Sequence, residues 1–100
     1  MARVYKILPR ADWAEAQARG DYGAAAIDRA DGFIHLSAAD QVAETLRLHF
    51  AGQADLVIVG FEADALGDAL RWEASRGGAL FPHLYGPLPV ALAASVEDAA

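Results

Sequence analysis

Phe33-Ile34-His35-Leu36-Ser37-Ala38-Ala39-Asp40 is the stretch on which the fold turns. Phe33 to Leu36 reads as a short strand. Ser37, followed three residues later by Asp40, fits a capping box, in which the serine oxygen and the Asp40 carboxylate satisfy the first free amides of a helix. The residues beyond continue as that helix. Ala39, Val42, Ala43, Leu46 and Phe50 fall on one helical stripe, Gln41, Glu44 and Arg47 lie away from it, and Gly52 closes the segment. A strand running straight into a helix N-terminus points to mixed α and β structure.

Working outward from there, Arg3 to Leu8 alternates Val4, Lys6 and Leu8 against Tyr5 and Ile7, a period-2 pattern that reads as a strand ended by Pro9. Arg10 to Arg19 has no helix breaker and stops at Gly20, so it reads as a helix. Gly20 to Gly32 shows no periodicity and reads as an irregular crossing loop. Downstream, Asp55 to Glu62 holds a continuous apolar run suited to a central strand, with Gly60 marking a bulge or a close approach. Ala69 to Glu73 is a further strand after a turn around Gly67. Phe81 to Pro89 carries three prolines and reads as an ordered loop, neither helix nor central strand. Val90 to Val96 is ambiguous, and residues 97–100 read as a frayed end. The expected architecture is α+β with both helices early, and residues 1–100 form a single domain.

Composition narrows the function. The 100 residues include 55% apolar positions, but 24 of these are alanine, so 31 larger apolar side chains must supply the core. Eight Lys and Arg against fourteen Asp and Glu give a net charge of −6, which argues against nucleic-acid or anionic-lipid partners recognised by the overall field. With no cysteine, disulfides and thiolate chemistry are excluded. No apolar run approaches the roughly 20 residues of a membrane span, and no signal-peptide core follows Met1, so the expected compartment is the cytoplasm.

Glycine-rich dinucleotide and phosphate loops, His-Glu-x-x-His and Gly-x-Ser-x-Gly are all absent. His35, His49 and His83 have no neighbouring ligand at metal spacing, so no metal site is expected. Three constellations remain. His35 and Ser37, at a strand end beside free helix amides, suit an anion or a ribose, or else form a core histidine and a simple cap. Arg71 and Glu73 share one face of a strand opposite Trp72; Glu73 reads as a general base tuned by Arg71, or the two form a surface ion pair. In the proline-rich segment, Gly86 and the prolines hold His83 and Tyr85 in fixed positions, for a ligand or as a structural plug. His49 suits the C-terminal helix dipole, and no chemistry is assigned to it. If Lys6, His35, Arg71, Arg76 and His83 converge, they form a small basic cleft for a phosphate or carboxylate.

Val4-Tyr5-Lys6-Ile7, Trp13, Ala16, Gly32 to Ser37, Gln41, Trp72-Glu73 and Phe81 to Leu88 together resemble an uncharacterised, mainly bacterial family, domain of unknown function 952. Its members look like compact relatives of the ADP-ribosyltransferase fold and of RNA 2′-phosphotransferases. The resemblance implies an ADP-ribosylation-like fold: a split, curved, mainly antiparallel sheet with a nicotinamide-dinucleotide cleft and NAD as its ligand. It implies a ribose contact at Tyr5-Lys6, where relatives often carry Tyr-His; a protonated lysine cannot accept a hydrogen bond as an imidazole can. It places His35 and Ser37 beside the nicotinamide ribose and makes Glu73 the transferase acid. The Arg and Gly-His-Ser stretch of the phosphotransferases has no counterpart, which argues against RNA repair.

Three functions follow as expectations. The first is an ADP-ribosyltransferase-like domain binding a nucleotide or phosphorylated small molecule, with Glu73, His35 and His83 as catalytic candidates and Tyr5, Lys6, Ser37, Arg71 and Tyr85 as ligand contacts. The second is a non-catalytic interaction module, and the third a hydrolase using a histidine pair.

Overall fold

Val4, Lys6 and Leu8 sit on one face of the first strand, β1 (Arg3–Pro9), in a computed structural model that describes residues 2–23, 32–75 and 78–99. Opposite them on β5 (Leu56–Glu62) lie Phe61, Val59 and Val57. Apart from Lys6, this row is the heart of the core, with Val4, Val57, Val59 and Phe61 fully buried. The alternation read from the sequence is therefore real, but it places a lysine in the core-facing row, and Lys6 is only 6% exposed.

Helix α1 (Arg10–Arg19) begins directly after Pro9 and adds Trp13 and Ala16 to the same core. Gly20 ends it in the left-handed region at φ 97°, its amide donating to the Ala16 carbonyl at 2.8 Å. The chain then makes the two-residue strand β2 (Asp21–Tyr22), which pairs with β8 (Leu88–Pro89).

The segment 33–40 crosses between two sheets. β3 (Ile34–His35) belongs to a three-stranded sheet of order β3-β7-β6, formed with β7 (Ala79–Leu84) and β6 (Leu70–Ser75). β4 (Ser37–Ala38) belongs to a four-stranded sheet of order β4-β1-β5-β9, completed by β9 (Ala93–Asp98). Only Leu36 separates them, and its amide donates to the Pro82 carbonyl at 3.1 Å. All pairings are antiparallel. The expected α+β architecture with antiparallel sheets and two early helices is found. A short helix, α3 (Ala63–Leu66), follows β5.

Several local expectations are corrected. Ser37 is not a helix cap: it lies in β4, and its hydroxyl is 3.0 Å from that of Thr45. A 3-10 turn, Ala39–Gln41, precedes helix α2 (Val42–His49), and the Gln41 side chain takes over the reciprocal half of the cap by accepting from the Ala38 amide at 2.9 Å. The apolar stripe of α2 does not enter the core: Val42, Leu46 and Phe50 are half-buried, while Ala39 and Ala43 are exposed. The Phe81 to Pro89 segment is not a loop. Phe81 to Leu84 forms the last four of the six residues of β7, the central strand of its sheet, and Leu88–Pro89 is β8. Pro82 is tolerated because its backbone faces Leu36 and not β6, so no bond to β6 is missing. The C-terminus does not fray at Glu97 and Asp98. Both pair with β5, and Asp98 bonds Arg10. The middle of the proposed crossing loop, 24–31, and Arg76 lie outside the described residues.

Candidate functional site

The β1·β4 ladder is short, covering only Val4↔Ala38 and Tyr5↔Ser37. Beyond Tyr5 the two strands diverge and leave a cleft of about 470 Å³, within the usual range for small-molecule sites. Tyr5 and Lys6 from β1, His35 from β3, Ser37 from β4 and His83 from β7 all line it. Five of the predicted site residues, drawn from four strands, therefore meet around one cavity. Arg71, Glu73 and Tyr85 do not line it; they gather against His83.

Two strand pairings build the polar part. His35 lies directly across from His83, and His83 lies across from Arg71, so the three form one row over β3, β7 and β6. The rings of His35 and His83 are 5.7 Å apart, edge to face. Phe33 stacks on His83 at 4.0 Å and 24° and also touches His35 and Tyr85. One oxygen of Glu73, two residues along β6 from Arg71, receives two hydrogen bonds: from Tyr85 Oη at 2.7 Å and from His83 Nδ1 at 2.8 Å. The Tyr85 backbone is pinned by its own amide, which donates to Ala69 O at 2.8 Å, and Arg71 lies over the Tyr85 ring at 5.1 Å.

These contacts act on two titrating groups, Glu73 and Tyr85. The bond from Tyr85, and then that from His83, hold the Glu73 carboxyl below its ordinary range. With Glu73 ionised, Nδ1 of His83 is the donor of the bond between them. The bond from Tyr85 to Glu73 in turn raises the Tyr85 phenol, since ionising it would place two anions together. Two pH effects follow. Glu73 contributes stability that is present above the ordinary glutamate pKa of about 4.3 and is lost as pH falls through its lower folded value. In ultraviolet titration, the phenol removed by Tyr85→Phe should ionise above the ordinary value of about 10 and return to it in Glu73→Gln. An unchanged titration in Glu73→Gln would mean that the bond does not form in solution.

Lys6 Nζ donates to the His35 carbonyl at 3.1 Å and lies 5.6 Å from the centre of the Tyr22 ring. Its charge thus stands in the cleft wall beside the histidine pair, with Asp12 as the one carboxylate among the described residues that line it. The opposite wall is helix α2 and the turn after it. Thr45, His49 and Gln53 all line the cleft. Their four-residue spacing, visible in the sequence, was the available sign that one face of α2 looks toward the site. His49 thus belongs to the cleft, though the sequence assigned it no chemistry. Phe33 was also missed as a site residue, because its stacking on His83 depends on the β3·β7 register. Trp72, expected to pack on the far face of β6, is 41% exposed. Among the described residues, no three His, Asp or Glu side chains are placed to hold a metal ion, and no helix is long and apolar enough to cross a membrane.

These features define a small α+β protein whose cleft opens where two antiparallel sheets part. The sequence profile described as "Protein of unknown function (DUF952)" matches residues 7–96, and the chain belongs to that family. The crystal structure of protein CC0527 from Caulobacter crescentus is similar, with 54% identity and a TM-score of 0.93, covering 96% of this chain and 84% of that one. The solution NMR structure of the same Caulobacter protein gives 54% identity and a TM-score of 0.86 over 96% of this chain and 83% of that one. No curated protein matches the chain.

Proposed function

We propose that the cleft binds a nucleotide or another phosphorylated small molecule, as in an ADP-ribosyltransferase-like domain. The observation that carries this reading is the convergence of Lys6, His35, Ser37 and His83 on one cavity, in a chain whose overall charge is −6. A buried ammonium beside two imidazoles favours an anionic group, while Tyr5, Tyr22 and Phe50 offer flat surfaces for a base or ring. Lys6 can donate to a phosphate oxygen but, while protonated, cannot accept from a ribose hydroxyl. The donor set therefore suits the phosphates of NAD better than its adenosine ribose.

Within this reading His83 is the catalytic candidate that faces the ligand, and Glu73 acts through it. A second reading, hydrolysis with His35 and His83 as acid and base, is favoured by their direct pairing with rings 5.7 Å apart. The test is the melting temperature with NAD, ADP-ribose and a panel of phosphorylated metabolites. A ligand at 100 times its Kd stabilises by about 2.7 kcal/mol, a rise of several degrees that should shrink in Lys6→Met and His35→Ala. No shift across the panel would overturn the binding reading.

A further inference from the structure

We infer that β6 is an edge at which two copies of this chain pair, antiparallel, about a two-fold axis through Trp72. This goes beyond the ligand reading and does not depend on it. β6 ends its sheet, and its outer edge has no strand partner among the described residues.

The hairpin with β7 fixes which backbone groups point outward. Pro82 turns its carbonyl to the Leu36 amide, away from β6. Trp72, which pairs with Pro82, must then turn its own N–H and C=O away from β7. The bond from the Tyr85 amide to Ala69 O sets the alternate residues inward. Leu70, Trp72 and Ala74 therefore present their donors and acceptors to a partner, while Ala69, Arg71 and Glu73 do not.

An antiparallel copy has to pair outward residues with outward residues. Three central registers do so. Trp72 opposite Ala74 sets Glu73 against Glu73, and Trp72 opposite Leu70 sets Arg71 against Arg71; like charges directly opposite are unfavourable. Trp72 opposite Trp72 sets Arg71 of each copy against Glu73 of the other, twice. Those pairs occupy the positions not joined by backbone hydrogen bonds, where facing side chains are closest. Glu73 suits this role, because both of its internal bonds use Oε1 and none among the described residues uses Oε2. On the other face of β6, Trp72 is 41% exposed, so the two indoles would cover each other. The outer edge of β9 offers no such match: its charged residues, Glu97 and Asp98, are both acidic, so no self-paired register sets opposite charges against each other.

The test is the solution mass of the full chain by sedimentation or light scattering. The expected mass is twice the 10.6 kDa of one chain, falling toward one chain on dilution. Arg71→Glu should give a single chain, and Arg71→Glu with Glu73→Arg should restore the pair, because the register then matches again with the signs exchanged. Trp72→Cys adds the chain's one thiol and should yield a disulfide-linked pair under mild oxidation, whereas Val96→Cys on β9 should not. A single-chain mass at every concentration overturns the inference. So does a pair that persists in Arg71→Glu, or one that is linked through Val96→Cys and not through Trp72→Cys.

Discussion

In His83→Ala, ligand affinity in the cleft should fall at least tenfold, ~1.4 kcal/mol of binding energy, and the unliganded protein should lose about 2 kcal/mol of stability. Both effects come from one position. His83 is 6% exposed on the central strand of its sheet, stacked on Phe33 and held by Glu73, and it also lines the cleft. Removing the imidazole opens a cavity against Phe33 and takes away the ring that faces the ligand. The Glu73 side chain is 39% exposed, so water can reach the released carboxylate, and the stability loss is mainly one of packing. His83→Gln separates the two effects. It refills most of the volume and can still donate to Glu73, so much of the stability should return while the ligand response stays low. Denaturant unfolding measures the first quantity and ligand-dependent melting the second. If His83→Ala keeps the full ligand response, the imidazole does not contact the ligand.

Gly60→Ala should destabilise by about 1–3 kcal/mol. The added Cβ would fall within contact distance of Ser95 Oγ and 3.0 Å from both Arg3 Cδ and Tyr5 Cε2. This crowding occurs where the β5·β9 register shifts between Gly60 and Phe61, so Gly60 marks both a bulge and a close approach. Ser95 Oγ is itself buried and has no hydrogen-bond partner among the described residues. Ser95→Ala should therefore stabilise by about 1 kcal/mol. In the double variant the cost of Gly60→Ala should drop, a non-additivity that a double-mutant cycle reads directly. Strict additivity would show that Ser95 is not what Gly60 avoids.

The strands and helices that carry strong local patterns were legible in the sequence. β1, α1 and β5 follow from alternation, from an unbroken helical run closed by Gly20, and from a continuous apolar run. The proline-rich segment misled because proline usually signals a loop. Pro82 enters a central strand only because its backbone turns toward Leu36, a fact of register. Ser37 misled because the capping pattern is local, whereas its hydroxyl meets Thr45.

Taken alone, the amino-acid sequence determined the α+β class, the absence of thiol chemistry and the residue types available to a site: Tyr5, Lys6, His35, Ser37, Glu73 and His83. These depend on composition and short-range periodicity. Tertiary structure decided which of those residues meet. The crossing at Leu36 sends β3 and β4 into different sheets and so opens the cleft, and the register of β7 sets His83 between His35 and Arg71. It also fixed the place of Lys6, whose strand position faces the core and whose long side chain carries its charge to the cleft wall. A one-residue slip of β7 would turn His83 to the opposite face. Pairing between strands far apart in sequence is what no local pattern encodes.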